Sequence, residues 1–270
     1  MGLTNRLEQA REAYQKKDLK TSASLHEASQ IQMAAKEEHG SAGSKYIGSM
    51  VFGGLDGIIT TFAVVSGVVG AQLSPAIIVI MGLANLFGDG ISMSLGAFIS
   101  QKSEKEYYDR ESQREAWEIE HFPEGEKNEL IAIYQQQGYS SAEAKQITKI
   151  KTANKQRWLA AMMSEELGLA KDDSSPVVAA LVTFAAFVLC GSLPLMVYLA
   201  ALLFKFSLPD MNSFLISLIL SAVALFGLGA AKYFITHRNP IISGLEMLLV
   251  GGLAASLAYL VGALLKGIGG

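Results

Sequence analysis

The sequence predicts an all-α membrane protein: five transmembrane helices with a polar three-helix insert between spans two and three. Half of the 270 residues are hydrophobic, only 17% are charged, and the mean hydropathy is +0.31. The charge is segregated. Residues 1–49 hold 7 basic and 6 acidic side chains and residues 101–173 hold 11 and 15, leaving 8 charges for residues 50–100 and 174–270. Those two tracts contain five apolar runs near the length of about 20 residues that a helix needs to cross a bilayer.

Taken in order, residues 1–49 form a polar tail, helical and amphipathic from about residue 3 to residue 38, that reads as a solvated appendage. Spans one and two fall at about 50–70 and 76–99, within the unit 50–100. The first run is long enough to span and is expected to act as its own insertion signal. Residues 101–173 form the insert: one helix continuing span two to about His121, a break at Pro123, a second from about Glu124 to Gln137, a turn at Gly138, and a third from Ser140 to about Leu167. Ser140 followed by Glu143 fits a capping box. Spans three to five, at about 177–204, 213–235 and 241–265, fill 174–270.

The short connections 71–75 and 205–212 carry Lys205 as their only base. The opposite side receives the tail, the insert and the turn with Lys232, His237 and Arg238, which by the positive-inside rule makes that side cytoplasmic. A single cysteine, Cys190, in an apolar run excludes a disulfide scaffold, and a net charge of -3 excludes a nucleic-acid-binding domain.

Charges inside the spans point to chemistry. Asp56, within Gly53-Gly54-Leu55-Asp56-Gly57, and Asp89, within Gly88-Asp89-Gly90, each sit in an apolar helix, where ionisation costs a few kcal/mol. Asn85, Asp89 and Met93 are spaced i, i+4, i+8 and so share one helix face, offering an amide oxygen, a carboxylate and a thioether to a passing transition metal. The flanking glycines permit close helix approach, as in a pore or dimer seam built from spans one and two.

The insert is acidic: between Glu104 and Glu129 lie 10 acidic residues against Lys105, Arg110, Arg114 and Lys127. Glu111, Glu115 and Glu118 fall on one helix face, Glu126 and Glu129 repeat the i, i+3 spacing after Pro123, and Met162, Met163 and Glu166 form a third cluster. Carboxylates packed this closely repel unless a cation neutralises them, and oxygen-rich sites with a soft donor suit Fe(II) or Mn(II). Taken alone, the pattern fits a solvated acidic face equally well.

Together these residues resemble the vacuolar iron transporter family, with its nodulin-like and bacterial relatives. The resemblance covers residues 45–270. It rests on Gly54-Leu55-Asp56-Gly57, on Ile91-Ser92-Met93 followed by Gly96 and Lys102-Ser103-Glu104, on the pairs Glu115/Glu118 and Glu126/Glu129, and on the run from Met162 to Leu169. It implies a homodimeric exporter of cytoplasmic Fe2+ and often Mn2+ that exchanges metal for protons along a dimer-interface pathway. Asp56 and Met93 would line that pathway, with Asn85 and Asp89 beside them. Glu115, Glu118, Glu126, Glu129, Met162, Met163 and Glu166 would make the insert a cytoplasmic metal-binding domain, with Glu104 and Glu111 as further candidate ligands. Asn85 stands where the family's iron transporters usually carry a glutamate, and Ser49 where well-studied members carry an acidic residue; Mn2+ could therefore rival Fe2+.

The expected partners are thus metal ions and protons, the lipid bilayer and a second copy of the chain, with no prosthetic group and no catalytic residues. The membrane would be the plasma membrane in a prokaryote and that of a vacuole or related acidic compartment in a eukaryote. Two other classes compete. Glu118-Ile119-Glu120-His121 supplies one Glu-x-x-His of a membrane-anchored di-iron carboxylate oxidase or iron-binding protein, which would need a second such motif. A scaffold binding partners through its acidic face is the other.

Overall fold

The computed structural model describes residues 3–27, 44–205, 210–233 and 238–266, and among the described residues every regular element is a helix. The chain divides into two units, Met1–Ile47 and Gly48–Gly270. In the first, α1 (Leu3–Lys16) and α2 (Leu19–Ser24) replace the one long helix expected of the tail. The cause is Asp18, whose Oδ1 accepts from the backbone N–H groups of Lys20 and Thr21 and so starts a new helix, after Lys17 has turned at φ +53°. The rest of that expected helix, from residue 28, lies outside the described residues, as does His237.

The second unit holds α3 (Ile47–Gly70), α4 (Pro75–His121), α5 (Pro123–Gln136), α6 (Ser141–Thr152), α7 (Lys155–Ala161), a π-helical turn Met162–Glu166, α8 (Pro176–Gly191), α9 (Met196–Phe204), α10 (Asp210–Ala231) and α11 (Pro240–Leu264). Four of these helices open on proline, whose missing N–H and fixed φ suit the first helical position. Five stretches are long and apolar enough to cross a membrane: Ile47–Gly70, Pro75–His121, Pro176–Phe204, Met211–Ala231 and Pro240–Leu264. The third is interrupted at Leu193–Leu195, where Pro194 cannot continue the helix; Ser217 Oγ of α10 donates to the buried Pro194 carbonyl at 2.6 Å.

Helix α3 is the most enclosed span, with half of its apolar window buried. Lipid gives helices little hydrophobic reason to associate, so close packing must hold them. Gly57 has no room for a side chain: a Cβ there would lie 3.0 Å from Phe187 Cα and nearer still to the Phe187 carbonyl of α8. At the other end Gly70 meets Tyr259 of α11 equally closely. Phe62, Val65, Ile78, Leu195 and Tyr198 fill the core between these spans.

The membrane-distal part of α4 runs without a break into the insert, where it packs with α5, α6 and α7 around Ile119, Leu130, Tyr134, Trp158 and Met162. The capping box forms: Ser140 Oγ accepts from Glu143 N–H, and Glu143 Oε2 accepts from Ser140 N–H at 2.9 Å. The expected third insert helix is instead divided in two, because Asn154 Oδ1 accepts from Arg157 N–H and caps α7 as a separate helix.

Candidate metal centre

Two triads of carboxylates share one residue. Oxygens of Glu115, Glu118 and Glu126 lie within 4.8 Å of one another, and so do oxygens of Glu126, Glu129 and Glu166. Three elements supply them. Helix α4 contributes Glu115 and Glu118 three residues apart on one face; α5 contributes Glu126 and Glu129 in the same spacing after the Pro123 break; the π-helical turn contributes Glu166. That turn is closed by Leu167 N–H donating to Met162 C=O, five residues back, and ends at Gly168 with φ +65°. It holds Met162 and Met163, 0% and 1% exposed, one turn before Glu166; Met162 is also part of the insert's apolar core.

Burial makes the cluster unusual. Glu115 is 0% and Glu126 5% exposed, and each keeps one buried carboxylate oxygen, Oε2, without a hydrogen-bond partner. Burial first, then the carboxylates of Glu115, Glu129, Glu118 and Glu166, push Glu126 up to about 7. Burial and the charges of Glu115 and Glu129 push Glu166 up to about 7 against the opposing pull of Arg114. Glu115 is raised by burial and pulled back by Arg114. A solvated acidic face would leave every oxygen in water; here one oxygen each of Glu115 and Glu126 is withdrawn from it, while Glu118 is half-buried and Glu129 and Glu166 are exposed, and a buried carboxylate oxygen without a partner is what a divalent ion relieves.

Two expected ligands stand apart. Glu111 is engaged at both oxygens, Oε1 by Arg110 at 2.6 Å and Oε2 by Arg114 at 3.0 Å, and these hydrogen bonds hold its carboxyl below the usual range. Glu104 is exposed, accepts from Ser100 Oγ at 3.4 Å, and lines a separate cleft of about 200 Å³ with Tyr108 and Asp172. Arg114 is the residue that sequence reasoning passed over. Its guanidinium bridges Glu111, Glu115 and Glu118, and the signal was available in an arginine at i+3 from one glutamate and i−4 from another.

Within the spans, Asp56 on α3 and Asn85 and Met93 on α4 are half-buried and Asp89 is exposed on its helix. Asn85 Nδ2 donates to Thr60 Oγ1 at 3.4 Å, and that hydroxyl donates to the Asp56 carbonyl at 2.9 Å, which ties the two spans together beside Asp56. Ser94 Oγ, next to Met93, donates to the Ala180 carbonyl of α8. His121 stands outside both triads: its Nδ1 meets the Trp117 carbonyl at 2.8 Å and its ring stacks on Trp117.

Fold and site therefore define a multi-span helical membrane protein with a partly buried carboxylate cluster in a helical insert. The profile of the VIT family matches residues 47–263, and the chain belongs to that family. It is 39% identical over 267 residues to the vacuolar iron transporter of Toxoplasma gondii, covering 96% of this chain and 88% of that protein. It is 38% identical to the vacuolar iron transporter of Plasmodium berghei over 95% of each, and 34% identical to vacuolar iron transporter 1 of Arabidopsis thaliana over 83% of this chain and 87% of the relative. Family and relatives place it among membrane transporters, not enzymes.

Proposed function

We propose that this protein is a metal transporter that exports Fe2+, Mn2+ or both from the cytoplasm by exchange with protons, as a homodimer whose pathway runs between copies of α3 and α4. The insert faces the cytoplasm and captures the hydrated ion on Glu115, Glu118, Glu126, Glu129 and Glu166, with Met162 and Met163 as softer donors. The ion then passes to Asp56, Asn85, Asp89 and Met93. Carboxylates alternately hold metal and proton, so an acidic far side drives release.

The observation that carries this reading is the pair of triads sharing buried Glu126, in a chain whose relatives are named vacuolar iron transporters. A second supports the dimer: Asp89 is exposed on an apolar helix, where a lipid-facing carboxylate costs roughly 2.5–3.5 kcal/mol unless something polar covers it. The identity of the membrane follows the source: the plasma membrane in a prokaryote, an acidic compartment in a eukaryote.

Purified protein reconstituted in liposomes with a metal-sensitive dye inside tests it. Fe2+ or Mn2+ flux that follows an imposed pH gradient and disappears in Asp56→Ala is expected. Flux that survives Asp56→Ala sinks the pathway, and metal-dependent oxygen consumption without flux would move the reading to the di-iron oxidase.

A further inference from the structure

Arg114 does more than balance charge. Its Nη2 lies 2.5 Å from Glu115 Oε1 and its Nη1 2.5 Å from Glu118 Oε2, while Nε reaches Glu111 Oε2 at 3.0 Å. One rigid planar group thus grips one oxygen of each of the two α4 ligands of the first triad. Glu115 keeps Oε2, fully buried and without a partner, and Glu118 keeps Oε1. Glu111 on the far side anchors the guanidinium through a third bond and is itself held by Arg110. The fork is therefore fixed from a residue outside both triads.

A carboxylate with one oxygen held by a guanidinium is hindered from chelating an ion through both, because the held oxygen would have to offer its remaining lone pair without leaving the hydrogen bond. The first triad then offers four carboxylate oxygens where three free glutamates would offer six. That matters differently to different dications. Ca2+ takes 6–8 oxygens and often draws carboxylates in as bidentate ligands, whereas the smaller octahedral first-row ions need fewer donors and are served by carboxylates that each give a single oxygen.

We propose that Arg114 is a positioning residue that restricts Glu115 and Glu118 to single-oxygen ligation and so disfavours Ca2+ relative to Mn2+ and Fe2+ in the insert. This rests on the reading of the triads as the place where cargo is captured. It assigns the discrimination to a residue that touches no ion.

The test is calorimetric titration of the full-length protein in detergent with Mn2+ alone and Ca2+ alone, for wild type, Arg114→Gln and Arg114→Lys. The readout is the ratio of the two dissociation constants, because loss of a positive charge shifts both dications in parallel and cancels in the ratio. In Arg114→Gln the preference for Mn2+ over Ca2+ should fall by about tenfold, because Ca2+ regains bidentate ligation from Glu115 and Glu118 while Mn2+ gains little from it. Arg114→Lys keeps the charge but cannot fork across two carboxylates, so its ratio should fall as well; it also decides the matter if the Gln variant does not fold. A ratio unchanged in both variants, with wild type binding Mn2+, overturns the role of Arg114 and leaves the capture site standing. Wild type that binds neither ion overturns the capture reading and this inference with it.

Discussion

Metal binding to the insert should strengthen about 100-fold between pH 6 and pH 8. Glu126 and Glu166 both sit at about 7 and belong to the same triad. An ion displaces protons from its ligands, so its apparent affinity scales with the fraction of the cluster already ionised. At pH 6 about a tenth of each group is ionised and at pH 8 about nine-tenths, and requiring both multiplies these fractions into a ratio of about 100. At pH 7 each group is half protonated, so about one proton should leave per ion bound; because the groups interact, these values belong to the cluster as a whole. Calorimetry with Mn2+, which does not oxidise readily, gives the affinity at each pH, and paired buffers of different ionisation enthalpy give the proton count. Glu126→Gln should bind more weakly and flatten the dependence to about tenfold, because one titrating ligand remains. A wild-type affinity that is flat across this range, or stronger at pH 6, would refute the claim that these carboxylates are the ligands.

Further outcomes follow from the same structure. Because Glu126 and Glu166 titrate in the folded state above the ordinary carboxylate value of 4.5, the folded chain holds more of their protons than the unfolded chain between about pH 4.5 and 7. Metal-free wild type should therefore lose stability relative to Glu126→Gln as pH rises through that window, and Mn2+ should restore it above pH 7; a thermal midpoint gap that widens in wild type's favour would contradict this. Met162 is fully buried, so Met162→Ala should cost roughly 2–5 kcal/mol and Met162→Leu under about 1.5, seen as midpoint shifts in thermal unfolding. If the thioether ligates, Met162→Leu should also lower Fe2+ affinity more than Ca2+ affinity; equal loss for both would confine Met162 to packing. Gly57→Leu should disrupt the α3–α8 contact by about 1–3 kcal/mol or more, read as loss of a monodisperse peak in size-exclusion chromatography.

The five spans were legible because lipid imposes a long apolar run on every crossing helix, and four of the helices in the second unit announce their start with proline. The carboxylate pairs were legible because i, i+3 spacing places both on one helix face, but spacing cannot say what faces that face across a bundle. Glu111 shares the face of Glu115 and Glu118, yet two arginines engage both of its oxygens. The division of the third insert helix turned on one side-chain acceptor, Asn154, in a stretch whose pattern reads as helix throughout. The π-helical turn was invisible for a different reason: one extra residue in a turn leaves the apolar pattern intact while rotating all that follows, here Glu166. Asp18 ended the tail helix in the same way that Asn154 ended α6, by offering the backbone a competing partner.

The continuity of α4 constrains how the two sets of charged residues can cooperate. Met93 and Glu115 lie on the same unbroken helix, and 22 residues at about 1.5 Å each separate them by about 33 Å of helical rise. At that separation even a weakly screened charge in the triads acts on Met93 and its neighbours far less than a partner in contact does. Nor can one ion touch both sets at once. On the proposed route the insert would influence how often and which ion arrives, and the spans would determine whether it crosses. Selectivity built into Arg114, Glu115 and Glu118 would act before the bilayer is entered, which allows the intramembrane site to carry Asn85 and Asp89 in their present arrangement without bearing the discrimination against Ca2+ alone.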